Sequence, residues 1–286
     1  MSDPSDITVE TRILGGIETR FRWRAGTGTP TVFVHGSPTH SAEWMPFLER
    51  LDGGVLAPDL PGYGGSERPD ADRFAGGMHD HARWLGEALA ELEVANFNLV
   101  VHDWGVLALI LAQQVPEQVE RLVAINSVPL LPGYRWHRLA RIWRRRGPGE
   151  AFVKLATKRA TALLLRGARP DRQPMPEEFV EMVWSCWDEG MAEAMLRLYR
   201  SADPENLEAA GANLDRLDCP ALILWGTEDR YIPTDFGRAY AERLPAAELE
   251  LVADAGHWPW IDDPQVIDRV CEFLEPGSDD PAPLGL

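Results

Sequence analysis

Cysteine is scarce in this sequence. Cys186, Cys219 and Cys271 are the whole complement, far apart and in no Cys-x-x-Cys or metal-ligand spacing. That pattern argues against a disulfide scaffold or a cysteine-built metal site and predicts a reduced, cytoplasmic protein. Long apolar runs are missing as well: none approaches the roughly 20 residues needed to cross a bilayer. Residues 1–6 carry neither the basic nor the apolar part of a signal peptide, so no membrane span is expected. Positive charge is also in short supply, with 28 Lys and Arg against 45 Asp and Glu and a formal net charge of -17. Such a chain repels nucleic acid and anionic lipid, which excludes both as expected partners. No internal repeat is present.

What is there reads as one large domain with an insertion. The chain has 286 residues, 45% of them hydrophobic, enough for a single sizeable core. Residues 7–14 and 17–23 form an opening hairpin around Gly15-Gly16. Short apolar strands follow at 31–34 and 55–57, then a helix over about 79–94, a strand at 97–101, a helix at 106–112 and a strand at 122–125. Strands alternating with helices predict a largely parallel sheet covered on both faces. The alternation stops near residue 130 and resumes with strands at 221–225 and 249–252 and a final helix at about 264–274. The expected layout is an α/β core made of 1–129 and 217–275, a helical insertion at 130–216, and a disordered Pro-, Gly- and Asp-rich tail at 276–286.

Inside the insertion the charge balance reverses. Between Arg135 and Arg172 there are twelve Lys or Arg against only Glu150 and Asp171. A solvated helical face over an acidic body accounts for this run, and attraction of an anionic substrate or partner is the alternative.

The most informative residue is Asp103. The strand 97–101 runs into His102-Asp103-Trp104-Gly105 and then into an apolar helix, the layout of a nucleophile elbow. A tight strand-to-helix turn presents its central side chain at a helix start, where N–H groups favour developing negative charge. A carboxylate attacking an ester or amide would form a reactive anhydride. Displacement at a saturated carbon gives an ordinary alkyl ester that water can cleave, so hydrolysis through covalent alkylation of Asp103 is expected. Cleaving that ester requires a base, and the base requires an orienting acid. His257, after the last strand, and Asp229, after the preceding one, supply them in the order nucleophile, acid, histidine. Singly, each could be a capping or surface residue; together, after successive strands of one sheet, they form a triad. Glu228 competes for the acid role, and Asn126 cannot fill it. His35-Gly36-Ser37-Pro38 also follows a strand. A backbone N–H at Ser37 and that of Trp104 make an oxyanion hole for the attack of water on the ester. His102, beside the nucleophile, is read as structural.

These segments resemble the α/β-hydrolase superfamily over about residues 8–275, in particular its epoxide hydrolase and haloalkane dehalogenase branch. The resemblance rests on His35 to Pro38, Asp59 to Ser66, His102 to Gly105 and Gly256 to Trp258. It implies an α/β-hydrolase fold with a helical cap over the site and no metal or organic cofactor. It also implies that epoxide hydrolases protonate the leaving alkoxide with cap tyrosines, whereas dehalogenases hold the halide on N–H donors. Leu198-Tyr199-Arg200 resembles the ring-opening tyrosine segment, and Ser37 replaces a halide-binding asparagine. Tyr199 is therefore the expected acid, protonated at neutral pH because a free phenol has a pKa of about 10; the packing of an amphipathic tyrosine is the alternative. Its helper is Trp143 or Tyr134. Trp143 can instead join Trp104 as a halide donor, and Val101 and Val106 match the dehalogenase form of the elbow. The expected function is hydrolysis of an apolar or aromatic epoxide to a vicinal diol, with His35, Tyr134 and Trp143 touching substrate. The alternatives are haloalkane dehalogenation by the same triad and ligand binding without catalysis. The expected partners are a small apolar substrate and water. Trp136, Trp143, Trp184 and Trp187 predict an apolar or aromatic cavity, although cap–core packing also explains them.

Overall fold

A computed structural model describes residues 7–275. The 276–286 tail, expected to be disordered, lies outside the described residues, as do residues 1–6. The strands are β1 (Thr8–Leu14), β2 (Ile17–Arg24), β3 (Thr31–Val34), β4 (Val55–Pro58), β5 (Phe97–His102), β6 (Val119–Ile125), β7 (Ala221–Gly226) and β8 (Ala247–Val252). They form one eight-stranded sheet in the order β1-β2-β4-β3-β5-β6-β7-β8. The β1–β2 and β2–β4 pairs are antiparallel and every other pair is parallel. This is the α/β-hydrolase fold.

The central strands are apolar on both faces because both faces are covered. Along β5 every residue is buried. Leu99 and Val101 enter one core cluster and Val100 the other, as the two-residue period of a strand requires. β6 and β7 divide the same way, with Ala124 and Ile223 on one side and Val123 and Leu222 on the other. At the sheet edge β1 is largely exposed.

Register sets the site. Val34 pairs with Val101, His102 with Ile125, Ile125 with Leu224 and Gly226 with Val252. The carboxyl ends of β3, β5, β6, β7 and β8 therefore finish at one edge of the sheet, where open parallel sheets place their ligands. Between β6 and β7 the chain is helical, from Arg138–Trp143 through Lys158–Leu165, Glu177–Ser185 and Glu189–Ser201 to Pro204–Ala210.

Some boundaries differ from expectation. The helix expected to reach residue 94 spans Met78–Glu91 and is followed by Glu93 at φ 57, a left-handed residue that cannot continue it. The elbow helix begins as a 3-10 turn, Asp103–Leu107, before the α-helix Ala108–Ala112. In the basic run, nine of the twelve cations are exposed and Arg144, Lys158 and Arg169 are half-buried. Those three pair with Asp203, Glu181 and Asp262. Among the described residues, no helix is long and apolar enough to cross a membrane.

Candidate active site

Asp103 occupies the turn between β5 and the 3-10 helix with φ 48, a left-handed conformation. A non-glycine residue held there is strained, and short polar side chains tolerate it best. Two glycines make the turn possible. A Cβ on Gly105 would lie 2.0 Å from the Val34 carbonyl oxygen, and one on Gly36 would lie 2.6 Å from the Asp103 Cβ. The elbow is thus packed against the end of β3, and the Ser37 N–H donates to Asp103 Oδ1 at 2.9 Å.

On the other side of the carboxylate, His257 Nε2 lies 3.5 Å from Asp103 Oδ2. His257 Nδ1 donates to Asp229 Oδ2 at 2.8 Å. Asp229 is itself held by the Asn126 side-chain amide at 2.7 Å and by the N–H groups of Tyr231 and Ile232 at 2.8 and 3.1 Å. Burial alone would favour its neutral acid. His257, Asn126 and the backbone donors outweigh that and hold the carboxyl below its ordinary range. For His257, burial pushes toward the neutral ring, but Asp229 and Asp103 together raise it to about 10. Glu228, the other acid considered, is exposed.

The carboxylate and the imidazole open onto a cavity walled by rings. Ser37, Tyr134, Trp136, Trp143, Tyr199 and Trp187 line it, as do His137 and Tyr231. Among the described residues no Lys or Arg lies in its wall, so none of the twelve cations of the basic run lines it. Tyr199 packs edge-on against Trp104 and Trp143, each with ring centroids 5.0 Å away. Trp136 stacks on Trp104 at 5.4 Å. Burial, reinforced by the charge on Asp103, pushes the Tyr199 phenol well above its usual range, against a smaller opposing effect of the Trp104 indole. The same two causes, together with Asp229, raise Tyr134. Two buried polar atoms of the lining, Trp143 Nε1 and Tyr134 Oη, have no hydrogen-bond partner among the described residues. Leaving such groups unpaired costs about 1–3 kcal/mol each, a cost that a ligand's acceptor atoms would relieve.

A model of the alpha/beta hydrolase family matches residues 31–270. The chain belongs to that family. This alpha/beta hydrolase is 30% identical over 267 residues to a 2-hydroxymuconate semialdehyde hydrolase of Pseudomonas sp. (strain CF600), covering 87% of each chain. Among solved structures, haloalkane dehalogenase DbeA from Bradyrhizobium elkani USDA94 has a TM-score of 0.80 at 25% identity, covering 94% of this chain and 98% of that one. Epoxide hydrolase CorEH has a TM-score of 0.77 at 23% identity over 94% and 98% of the two chains, a likeness of fold alone.

Most of the residues singled out in the sequence come together in this hydrolase. Ser37, Asp103, His257 and Asp229 form a chain of contacts in that order, and Tyr199, Tyr134 and Trp143 line the cavity. His35 does not line it. Its ring is fully buried, with Nδ1 donating to the Gly36 carbonyl at 2.7 Å and Nε2 accepting the Leu60 N–H at 2.9 Å. It braces the loop from behind and is not placed to touch substrate. Trp184 stacks on Trp187 outside the wall. Sequence reasoning missed two contributors. Asn126, set aside because it is not an acid, positions the acid. His137 lines the cavity as the cap of the helix Arg138–Trp143, its Nδ1 accepting the Ala140 N–H at 3.4 Å; its place just before a helix start was the only available signal.

Proposed function

We propose that this protein hydrolyses an apolar or aromatic epoxide to a vicinal diol through an alkyl ester on Asp103. The observation that carries the reading is a carboxylate at the elbow, with a backbone donor 2.9 Å away on one oxygen and His257 Nε2 3.5 Å from the other. In the resting site Asp103 is the anion and His257 holds its proton, in keeping with its raised pKa. Asp103 attacks a ring carbon, the C–O bond breaks, and Tyr199 protonates the leaving oxygen. The proton on His257 then restores the phenol. Esterification has removed the charge on Asp103, one of the two that held the imidazolium, so the ring becomes a competent base. Neutral His257 takes a proton from water as the hydroxide attacks the ester carbonyl. The N–H groups of Ser37 and Trp104 stabilise the oxyanion. Collapse releases the diol, which takes its proton from His257, and the Asp103 acid returns a proton to the ring. The helical cap at 130–216 supplies Tyr199 and most of the aromatic wall.

A second reading is favoured by the indole nitrogen of Trp143, which lines the cavity without a hydrogen-bond partner among the described residues and could hold a departing halide. One experiment separates the two. His257→Gln should form the ester without hydrolysing it, and its intact mass is measured after exposure to styrene oxide or to 1-bromohexane. An adduct containing the whole epoxide, absent when Asp103→Asn is added, is the expected result. An alkyl adduct with released bromide selects dehalogenation. No adduct from either, with tight ligand binding unchanged by Asp103→Asn, selects a non-catalytic binding protein.

A further inference from the structure

One buried carboxylate behind the triad takes no part in the chemistry above. Glu43 lies in the 3-10 turn Ser41–Trp44, just past the oxyanion loop, and is buried. Its Oε1 accepts the Gly36 N–H at 3.0 Å and its Oε2 accepts the Trp258 indole N–H at 3.1 Å. Oε2 also lies 3.7 Å from Nδ1 of His102, within ion-pair range but beyond a formed hydrogen bond. Each contact falls on the neighbour of a working residue: Gly36 precedes Ser37, His102 precedes Asp103, and Trp258 follows His257. His102 extends the tie, since its Nε2 meets the His257 carbonyl at 2.9 Å.

Proton bookkeeping makes this cluster more than packing. A carbonyl only accepts, so His102 Nε2 must carry a hydrogen. With one proton on the ring, Nδ1 would turn a lone pair toward a carboxylate oxygen. The ring is fully buried among Trp44, Trp258, Trp260 and the His257 imidazole, with centroids 6.4, 5.5, 4.9 and 4.8 Å away. In such surroundings an unmatched acceptor pair is expensive. Burial alone would drive Glu43 toward its neutral acid. His102, His35 and the Gly36 N–H outweigh that and hold its carboxyl below the ordinary range.

We propose that Glu43 is a positioning residue of this hydrolase. Its carboxylate faces a His102 ring protonated on both nitrogens across the 3.7 Å Nδ1–Oε2 separation, and this ion pair, with the Gly36 and Trp258 hydrogen bonds, locks the oxyanion loop, the nucleophile elbow and the histidine loop into one unit. Glu43 does not line the cavity, so it acts on the rate of the chemical steps and leaves substrate affinity alone. The proposal rests on the covalent reading only in naming ester hydrolysis as the step that suffers.

The test begins without any variant. In protein labelled with nitrogen-15 at histidine, His102 should show protons on both ring nitrogens at neutral pH, assigned through its loss in His102→Gln. In Glu43→Gln, which keeps the shape and removes the charge, only the Nε2 proton should remain. Displacing the loops by even a fraction of an ångström should then slow hydrolysis of the styrene oxide ester by about 10–100-fold, read in single-turnover measurements, with the affinity for styrene oxide unchanged. Glu43→Asp, which retains the charge, should recover part of that loss. A singly protonated His102 in the wild-type protein overturns the proposal, as does Glu43→Gln hydrolysing the ester at the wild-type rate. Failure of the wild type and His257→Gln to form any ester overturns the covalent reading instead, and the imidazole protonation still decides the Glu43–His102 pair.

Discussion

At the scale of single residues, the site is a set of charges whose values depend on one another. His257 is raised to about 10 although burial opposes it, because Asp229 and Asp103 both face the ring. A histidine whose folded pKa exceeds its unfolded value of about 6.5 contributes stability fully below that value. The contribution is lost as pH rises through the folded value, about 10 here. Thermal midpoints measured from pH 6 to 10 should therefore fall toward the alkaline end in the wild type, and this component should be absent in His257→Gln. Equal slopes would contradict the assigned charge on the ring. Tyr199 offers a second check. A positioned acid contributes about 10²–10⁴-fold to rate, and a halide needs no proton. Tyr199→Phe should therefore slow alkylation by styrene oxide by that factor and leave alkylation by 1-bromohexane within a few-fold of wild type, as read by rapid-quench mass spectrometry.

At the scale of elements, the elbow depends on how closely β5 and its following turn approach β3. Asp103 sits in a left-handed conformation, and the room for that turn comes from Gly105, whose added Cβ would lie 2.0 Å from the Val34 carbonyl oxygen and 2.8 Å from its carbon. Those atoms are backbone in the middle of a sheet and cannot rotate aside. Gly105→Ala should cost about 1–3 kcal/mol or more by overpacking, visible as a lower urea midpoint, and should also abolish ester formation. A stable Gly105→Ala that still forms the ester would mean that the turn is looser than its packing. The sequence carried the existence and order of these elements plainly: buried β5 and β7 read as short apolar runs, and both match the observed strands to within a residue. Helix ends were less legible. The stop at Glu91 depends on a left-handed Glu93, a conformation that glutamate does not advertise.

At the scale of the whole molecule, the helical insertion and the histidine loop are joined. The His257 N–H donates to the Ala168 carbonyl at 2.8 Å, and Arg169 Nε meets Asp262 Oδ1 at 2.8 Å while Asp262 Oδ2 accepts the Gly256 N–H at the same distance. The Arg169 and Asp262 side chains are 15% and 6% exposed, so the pair is sheltered from the screening that weakens surface ion pairs. Arg169→Ala should cost about 1.5–3 kcal/mol, as for hydrogen bonds to charged groups. It should also lower kcat/KM as the histidine loosens; unchanged stability together with unchanged kinetics would show that the insertion is held elsewhere. The sequence by itself determined the fold and marked Asp103, Asp229 and His257 as candidates, because periodicity and a turn motif are local properties written in consecutive residues. Only the tertiary structure decided which acid faces His257, that His35 braces its loop from behind the cavity wall, and that Asn126 and Glu43 stand behind the working groups. Those facts are distances between strands far apart in the chain, and they exist only once the register of the parallel sheet has brought its carboxyl ends to one edge.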